Sequence, residues 1–427
     1  MNKRVVVTGM GVVSPIGSTI DEFQKNLREG KSGITYCKML DEKNFVCRVA
    51  GIPKYDGHND ELISKYFPLN ADKAILYAVS AAIDAWTDAG FAIPDLYTNE
   101  TNDNLGVVVG SVCAGSQYSL QRKEQIDNGD IKRLGSWYPI NAMHSGVSAF
   151  LSNIFAASNV VEYVSSACAT GSESIVRAFD RIKSGNAEIM IAGGCDADSP
   201  YLWAGFDTMR LLCRNSNDEP MKANRQMSAL AKGFAPAAGA GIIILEDYDH
   251  AIKRGAKIYA EILGGSVNAG GQRNGGSMTL PNSKRVVDCI QKAMENSEIE
   301  ASQIDYINGH LTSTMADAIE VANWCNALSL RENFPYMNST KSLIGHTIGA
   351  AGAIETIATI LQMNGSFVHA SLNSRPLHPE IEKIYDPQMI PEYLVENVHI
   401  DHAIKANFGF GDVNACFVIK NTPRIDA

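Results

Sequence analysis

The chain has 427 residues, long enough for two domains or one large duplicated unit with a sizeable core. Aspartate and glutamate number 47 against 37 lysines and arginines, for a formal charge of −10, which argues against non-specific nucleic-acid binding, because that rests on Lys and Arg neutralising phosphates. A hydrophobic content of 45% with 20% charged residues fits a globular protein, and no run is long enough to span a bilayer.

The first strand-like run, 4–8, comes too early and is too short in its apolar stretch for a signal peptide. It leads into Thr8-Gly-Met-Gly11, a GxG without the full dinucleotide-binding spacing and interrupted by Pro15, read here as a backbone turn. A helical pattern covers 71–89, and strand-like Val and Ile runs follow at 105–109 and 160–164. The second run leads to Ser165-Ser-Ala-Cys168-Ala-Thr-Gly171 and a helical pattern over 168–183. Cys168 thus falls at or near a helix N-terminus, where unpaired N–H groups and the dipole lower a thiol's pKa and favour a nucleophilic thiolate. A small buried packing residue is the alternative.

Strand-like runs continue at 188–192, 241–246 and 258–263. Gly264 to Gly276 lacks the P-loop pattern and reads as turns, before a helical pattern over 284–296. The run 304–308 ends in Asn308-Gly-His310-Leu-Thr312-Ser-Thr314, and Thr340-Lys341-Ser-Leu-Ile-Gly-His346 opens a small-residue helix over 349–363. Each histidine is therefore expected on a turn after a strand, and not buried in a periodic apolar face, as a reactive imidazole would be. Runs at 404–407 and 415–420 flank Phe408-Gly-Phe410-Gly-Asp412. The alternation implies α/β layers with buried strands, in two halves, 1–250 with the cysteine and 251–427 with the histidines and the Gly-Phe-Gly loop. The nine scattered cysteines, with no CxxC pair, point to a reducing, cytoplasmic compartment. No metal site is expected, since His310 and His346 lack a third partner at ligand spacing, and no cofactor is required.

In this order, the Ser-Ala-Cys-Ala-Thr-Gly, Asn-Gly-His-x-Thr-Ser-Thr, Thr-Lys-Ser-x-x-Gly-His, Gly-Ala-Ala-Gly-Ala-Ile-Glu and Asn-Phe-Gly-Phe-Gly segments resemble the β-ketoacyl-carrier-protein synthases of type II fatty acid synthesis, over nearly the whole length. The resemblance implies a thiolase-like fold, two similar halves in a five-layered αβαβα core, usually a homodimer, performing a decarboxylative Claisen condensation on acyl- and malonyl-loaded acyl carrier protein. By analogy Cys168 takes the acyl group, its N–H and that of Phe410 form the oxyanion hole, and His310 and His346 stabilise the enolate. Lys341 and Glu355 match a supporting charged pair, and Thr312 and Thr314 the hydroxyls that hold the pantetheine arm. Cys113, Phe206 and Phe408 match acyl-pocket positions, and Arg210 and Lys65 carrier-docking positions. The alternative is a chain-length-factor-like partner without its own condensing activity, although such relatives normally lack the cysteine. The chain departs from the pattern at Leu311, at Asp412-Val413, and at Ser228 to Gly239, which lacks the usual acidic residues. Asp412, so close to the oxyanion hole, must point away or be neutralised.

Overall fold

Glycines extend the first strand instead of ending it. The structure, a computed structural model, describes residues 3–422, so the outermost residues of the two expected halves lie outside it. In it β1 (Val5–Val13) runs straight through the GxG expected to be a turn. Helix α1 (Lys73–Asp88) lies directly on this strand: a Cβ at Gly11 would come within 1.9 Å of the Ala81 carbonyl oxygen, and one at Gly9 within 2.1 Å of that of Ala85. The glycines are there for close backbone approach.

The remaining strands of the main sheet are β2 (Leu105–Gly110), β3 (Val161–Glu162), β4 (Ile189–Asp196), β5 (Gly239–Asp247), β6 (Ala260–Ala269), β7 (Tyr306–Asn308), β8 (Tyr336–Asn338), β9 (His402–Gly409) and β10 (Val413–Asn421). They stand in the order β8-β7-β9-β10-β6-β1-β5-β4-β2-β3. Each group of five repeats one topology: numbered along the chain, both halves are arranged first, fifth, fourth, second, third. The pairings repeat too, antiparallel for the first two contacts and parallel for the last two. A short antiparallel seam, Val5–Val7 against Ile262–Ala260, joins the halves. The duplication suggested by the sequence is therefore architectural.

The equivalent helices fill equivalent places. Helix α1 and α2 (Gly146–Phe155) cover the outside of the first half, and α4 (Ser283–Ser297) and α5 (Ala316–Ala327) the outside of the second. Between the two halves of the sheet lie α3 (Thr170–Lys183) and α6 (Ala351–Gly365), which touch each other and strands of both halves. These are the five layers of a thiolase-like αβαβα core. Every residue of α6 from Ala351 to Met363 is buried, its polar Glu355 and Gln362 included, so their side chains must find partners inside the core.

Four further points differ from the sequence reading. Gly264 and Gly265 lie inside β6, not in a turn, and a Cβ at Gly264 would meet the Asn296 backbone at 2.6 Å. The run 160–164 forms only two paired residues, Val161–Glu162. Strand β8 was not anticipated, because three residues are too few to carry a periodic signal. Helices α3 and α6 each begin later than their patterns, after one-turn 3₁₀ segments, Ala167–Ala169 and Ile348–Ala350. The first of those turns contains Cys168, and the second lies just after His346.

Candidate active site

Cys168 sits in the 3₁₀ turn before α3, following Ala167 in a left-handed conformation (φ 49°). That strained alanine turns the chain sharply and presents the thiol across the seam between the halves. The Phe408-Gly-Phe410 end of β9 approaches from the second half. A Cβ at Gly409 would lie 2.7 Å from the Ser166 carbonyl oxygen and 3.1 Å from Cys168 N, so glycine permits the approach. The Phe410 N–H faces the Cys168 sulfur.

His310 and His346 complete the group. His346 Nε2 is 3.2 Å from Cys168 Sγ, and the two imidazole centroids are 5.4 Å apart. Ligand-type atoms of Cys168, His310 and His346 all lie within 4.8 Å of one another. The expectation that the histidines lack a third partner is thus corrected: the fold supplies Cys168, 142 residues before His310 in the chain. A void of about 90 Å³ opens onto the three, walled by Phe206, Phe234, Leu280, Thr312, Thr314 and Phe408 among others. Phe206 meets both Phe234 and Phe410 edge-on, at 5.6 and 5.8 Å, and Phe234 meets His346 at 4.9 Å.

Hydrogen bonds fix the imidazole protons. The Ile348 backbone N–H can only donate, and it donates to His346 Nδ1 at 3.2 Å. The proton of neutral His346 is therefore on Nε2, directed at the Cys168 sulfur. Asn407 Nδ2 contacts the Glu355 carboxylate Oε2 and His310 Nδ1, each at 3.1 Å. A carboxylate accepts only, so the amide's NH₂ must face Glu355, and the same NH₂ donates to His310 Nδ1. Ser172 closes the chain on Asn407 Oδ1 at 2.6 Å. His310 too carries its proton on Nε2.

Burial, then the Lys341 charge, pushes the His346 pKa down to about 3 and that of His310 well below its ordinary value. Both imidazoles are neutral donors at any physiological pH. Burial likewise pushes the Cys168 thiol up to about 12, against the lowering effect of Lys341 and the Phe410 N–H. This corrects the expected low thiol pKa, since the desolvation of a cysteine only 6% exposed outweighs a helix terminus that begins only two residues later. Iodoacetamide labelling of Cys168 in the free protein, followed by peptide mass spectrometry, is expected to keep accelerating with pH beyond about 10. An ordinary thiol, half-ionised at about pH 8.5, would level off above about pH 9.5.

Charged groups stand behind the histidines. Lys341 Nζ donates to the His310 carbonyl at 2.7 Å and to Glu355 Oε1 at 2.5 Å, with both side chains at 0% exposure. Burial alone would raise the Glu355 pKa, but Lys341 and Lys405 outweigh it and hold it low. Several polar residues of this layer were not singled out from the sequence. Glu320 accepts from His310 N at 2.6 Å and Leu311 N at 2.8 Å, and Asp317 accepts from the amides of Thr312, Ser313 and Met227. These carboxylates hold the His310 turn, in which Leu311 occupies φ 26°, a conformation suited to glycine. Asp196 ties the Gly349 amide, 2.7 Å away, to the Ser111–Cys113 turn.

Other expected residues fall differently. Cys113 does not line the void; its amide and thiol lean on Asp196, at 3.1 and 3.4 Å. Arg210 is exposed, with Leu211 beside it on the void's wall. Lys65 is exposed in a separate surface depression with Tyr66 and Tyr97, which shares no lining residue with the void.

Asp412 does point away. It is 1% exposed at φ 64°, and its carboxylate accepts from Gln272 N at 2.9 Å and Asn282 N at 2.8 Å, latching the loop whose Thr279, Leu280 and Pro281 wall the void. Hydrogen bonds to a charged group contribute about 1.5–3 kcal/mol each. Asp412→Ala is accordingly expected to speed tryptic cleavage after Arg273 by at least ~10-fold; unchanged cleavage would show the latch to be idle.

Comparison with known proteins agrees with this geometry. The family model "Beta-ketoacyl synthase, N-terminal domain" matches residues 2–251, and "Beta-ketoacyl synthase, C-terminal domain" matches 259–375. The chain is 34% identical over 423 residues to 3-oxoacyl-[acyl-carrier-protein] synthase 2 of Vibrio harveyi, covering 98% of both chains. Among solved structures it is similar to a type II polyketide ketosynthase in complex with its acyl-carrier protein (TM-score 0.86, 27% identity, 99% of this chain and 100% of that one). It is also similar to the ishigamide ketosynthase/chain length factor (TM-score 0.85, 26% identity, 99% and 100%). The matched motifs, their order and the fold lead to one conclusion: this chain belongs to the beta-ketoacyl synthase family.

Proposed function

We propose that the chain is a 3-oxoacyl-[acyl-carrier-protein] synthase that joins a Cys168-bound acyl group to malonyl-carrier protein with loss of CO₂. The observation that carries this reading is the pair of neutral imidazoles with Nε2 protons beside a buried thiol in an apolar void. In the first half-reaction the Cys168 sulfur attacks the acyl thioester, the carbonyl oxygen gathers negative charge against the Cys168 and Phe410 N–H groups, and the carrier thiol leaves with the cysteine's proton. In the second, the malonyl carboxylate departs as CO₂, and the electron pair left behind forms an enolate whose oxygen is held by His310 and His346. The enolate carbon attacks the acyl carbon, and the cysteine sulfur leaves and takes up a proton. Preorganised donors in a water-poor site suit such oxyanions, because they need no reorganisation as charge develops.

The same reading gives Thr312 and Thr314 to the pantetheine arm, Phe206 and Phe408 to the acyl pocket, and Arg210 to the acidic carrier protein, with Lys65 less favoured by its position. It takes the division near residue 250 as the boundary of two halves that both contribute to one site, and the working unit as a homodimer. A cytoplasmic setting is supported by nine cysteines that are all unpaired; no helix among the described residues is long and apolar enough to cross a membrane. A chain-length-factor-like role is disfavoured by the intact cysteine and both donors.

The test is intact-mass analysis after incubation with a panel of acyl-carrier proteins bearing short, long, unsaturated and aryl chains. An adduct lost in Cys168→Ala supports the reading and identifies the acyl class. No adduct from any donor would move it to a partner-dependent, non-condensing subunit.

A further inference from the structure

Lys405 lies in the interior of β9, fully buried at 0% exposure. A buried ammonium is strongly disfavoured unless its charge is met, so its partners are informative. Its Nζ is 2.7 Å from Glu355 Oε2 and 2.7 Å from the Ala406 carbonyl oxygen, with the Asn308 carbonyl at 3.5 Å. Lys341 already holds the other carboxylate oxygen, at 2.5 Å. One ammonium would neutralise Glu355, and Lys405 also feels the buried Glu320 carboxylate, so what singles Lys405 out is the oxygen it holds. Glu355 Oε2, the oxygen held by Lys405, is also the one that receives Asn407 Nδ2, and that same amide donates to His310 Nδ1.

We propose that Lys405 is a positioning residue for His310: by fixing Glu355 Oε2 it makes Asn407 present its NH₂ to the ring, which keeps the His310 proton on Nε2, the opposite nitrogen. This rests on the function proposed above for its catalytic consequence, though not for the tautomer itself. Without Lys405, Glu355 is free to turn to Lys341 and Asn407 is free to flip. A flipped amide offers Oδ1 to Nδ1, draws the proton there, and leaves a lone pair on Nε2 where an enolate oxygen needs a donor.

The test uses the full chain with ¹⁵N-labelled histidine, read by long-range ¹H–¹⁵N correlation, with His310 assigned by its loss in His310→Ala. The wild type is expected in the Nε2–H form, and Lys405→Met in the Nδ1–H or a mixed form. In the same variant, malonyl-carrier decarboxylation is expected to fall ~10²-fold, the effect of losing one oxyanion donor, while acylation of Cys168 is retained. Lys405→Gln, which keeps a donor for the Ala406 carbonyl without the charge, gives the same readout if Lys405→Met does not fold. A wild type in the Nδ1–H form, a variant that keeps Nε2–H, or a parallel fall of both half-reactions would overturn the proposal. If the tautomer shifts as expected but the wild type neither acylates nor decarboxylates, the proposed function fails and the positioning role stands.

Discussion

Replacing Cys168 by alanine is expected to reduce condensation by at least ~10⁴-fold, the scale on which loss of a nucleophile removes covalent catalysis. The reason is local. Among the described residues lining the void, Cys168 is the only cysteine, and the Phe410 N–H is aimed at its sulfur. The substitution leaves His310, His346 and the Lys341–Glu355–Lys405 cluster untouched, so decarboxylation of malonyl-carrier protein is expected to survive while carbon–carbon bond formation does not. Separate assays of CO₂ release and 3-oxoacyl product check this. Equal loss of both would mean that the cysteine organises the whole site instead of serving one half-reaction.

The second large effect is expected at His310. His310→Ala removes a neutral donor and should lower decarboxylation ~10²–10³-fold, about 2.7–4 kcal/mol of transition-state stabilisation. Acyl transfer to Cys168 should change far less, because the imidazole in contact with the sulfur is that of His346, at 3.2 Å. His310→Gln, which restores an N–H donor, is expected to recover part of the loss. Mass spectrometry of the acylated protein and a CO₂ assay separate the two steps. A His310→Ala protein defective in acylation to the same degree would contradict this division of labour.

The reacting residues were legible in the sequence because each lies in a short segment whose chemistry and turn residues are contiguous: Cys168 before its helix, His310 after Asn-Gly, His346 after Gly. Of the residues that orient them, only Lys341 and Glu355 were, through the family resemblance. Asn407 meets His310 across 97 positions, and Lys405, on strand β9, reaches Glu355 on helix α6. One local signal was available: a lysine inside an otherwise apolar central strand, Ile404-Lys-Ala406, needs a buried partner. The layered fold was legible in the alternation of runs, but the glycines at 9, 11, 264 and 265 were misread. A glycine pair after or within a strand looks the same whether it makes a turn or receives a helix backbone. The thiol's acidity was misjudged for a similar reason. A helix terminus is a local feature, whereas the burial that raises Cys168 comes from both halves closing over it.

The most direct test of the account is the mass of the carrier protein after the purified chain is mixed with an acyl-carrier protein and malonyl-carrier protein. The account predicts a species that has gained the acyl group and lost CO₂, formed by the wild type and absent with Cys168→Ala. Malonyl-carrier protein that stays unchanged, or that loses CO₂ without gaining the acyl group, would contradict it.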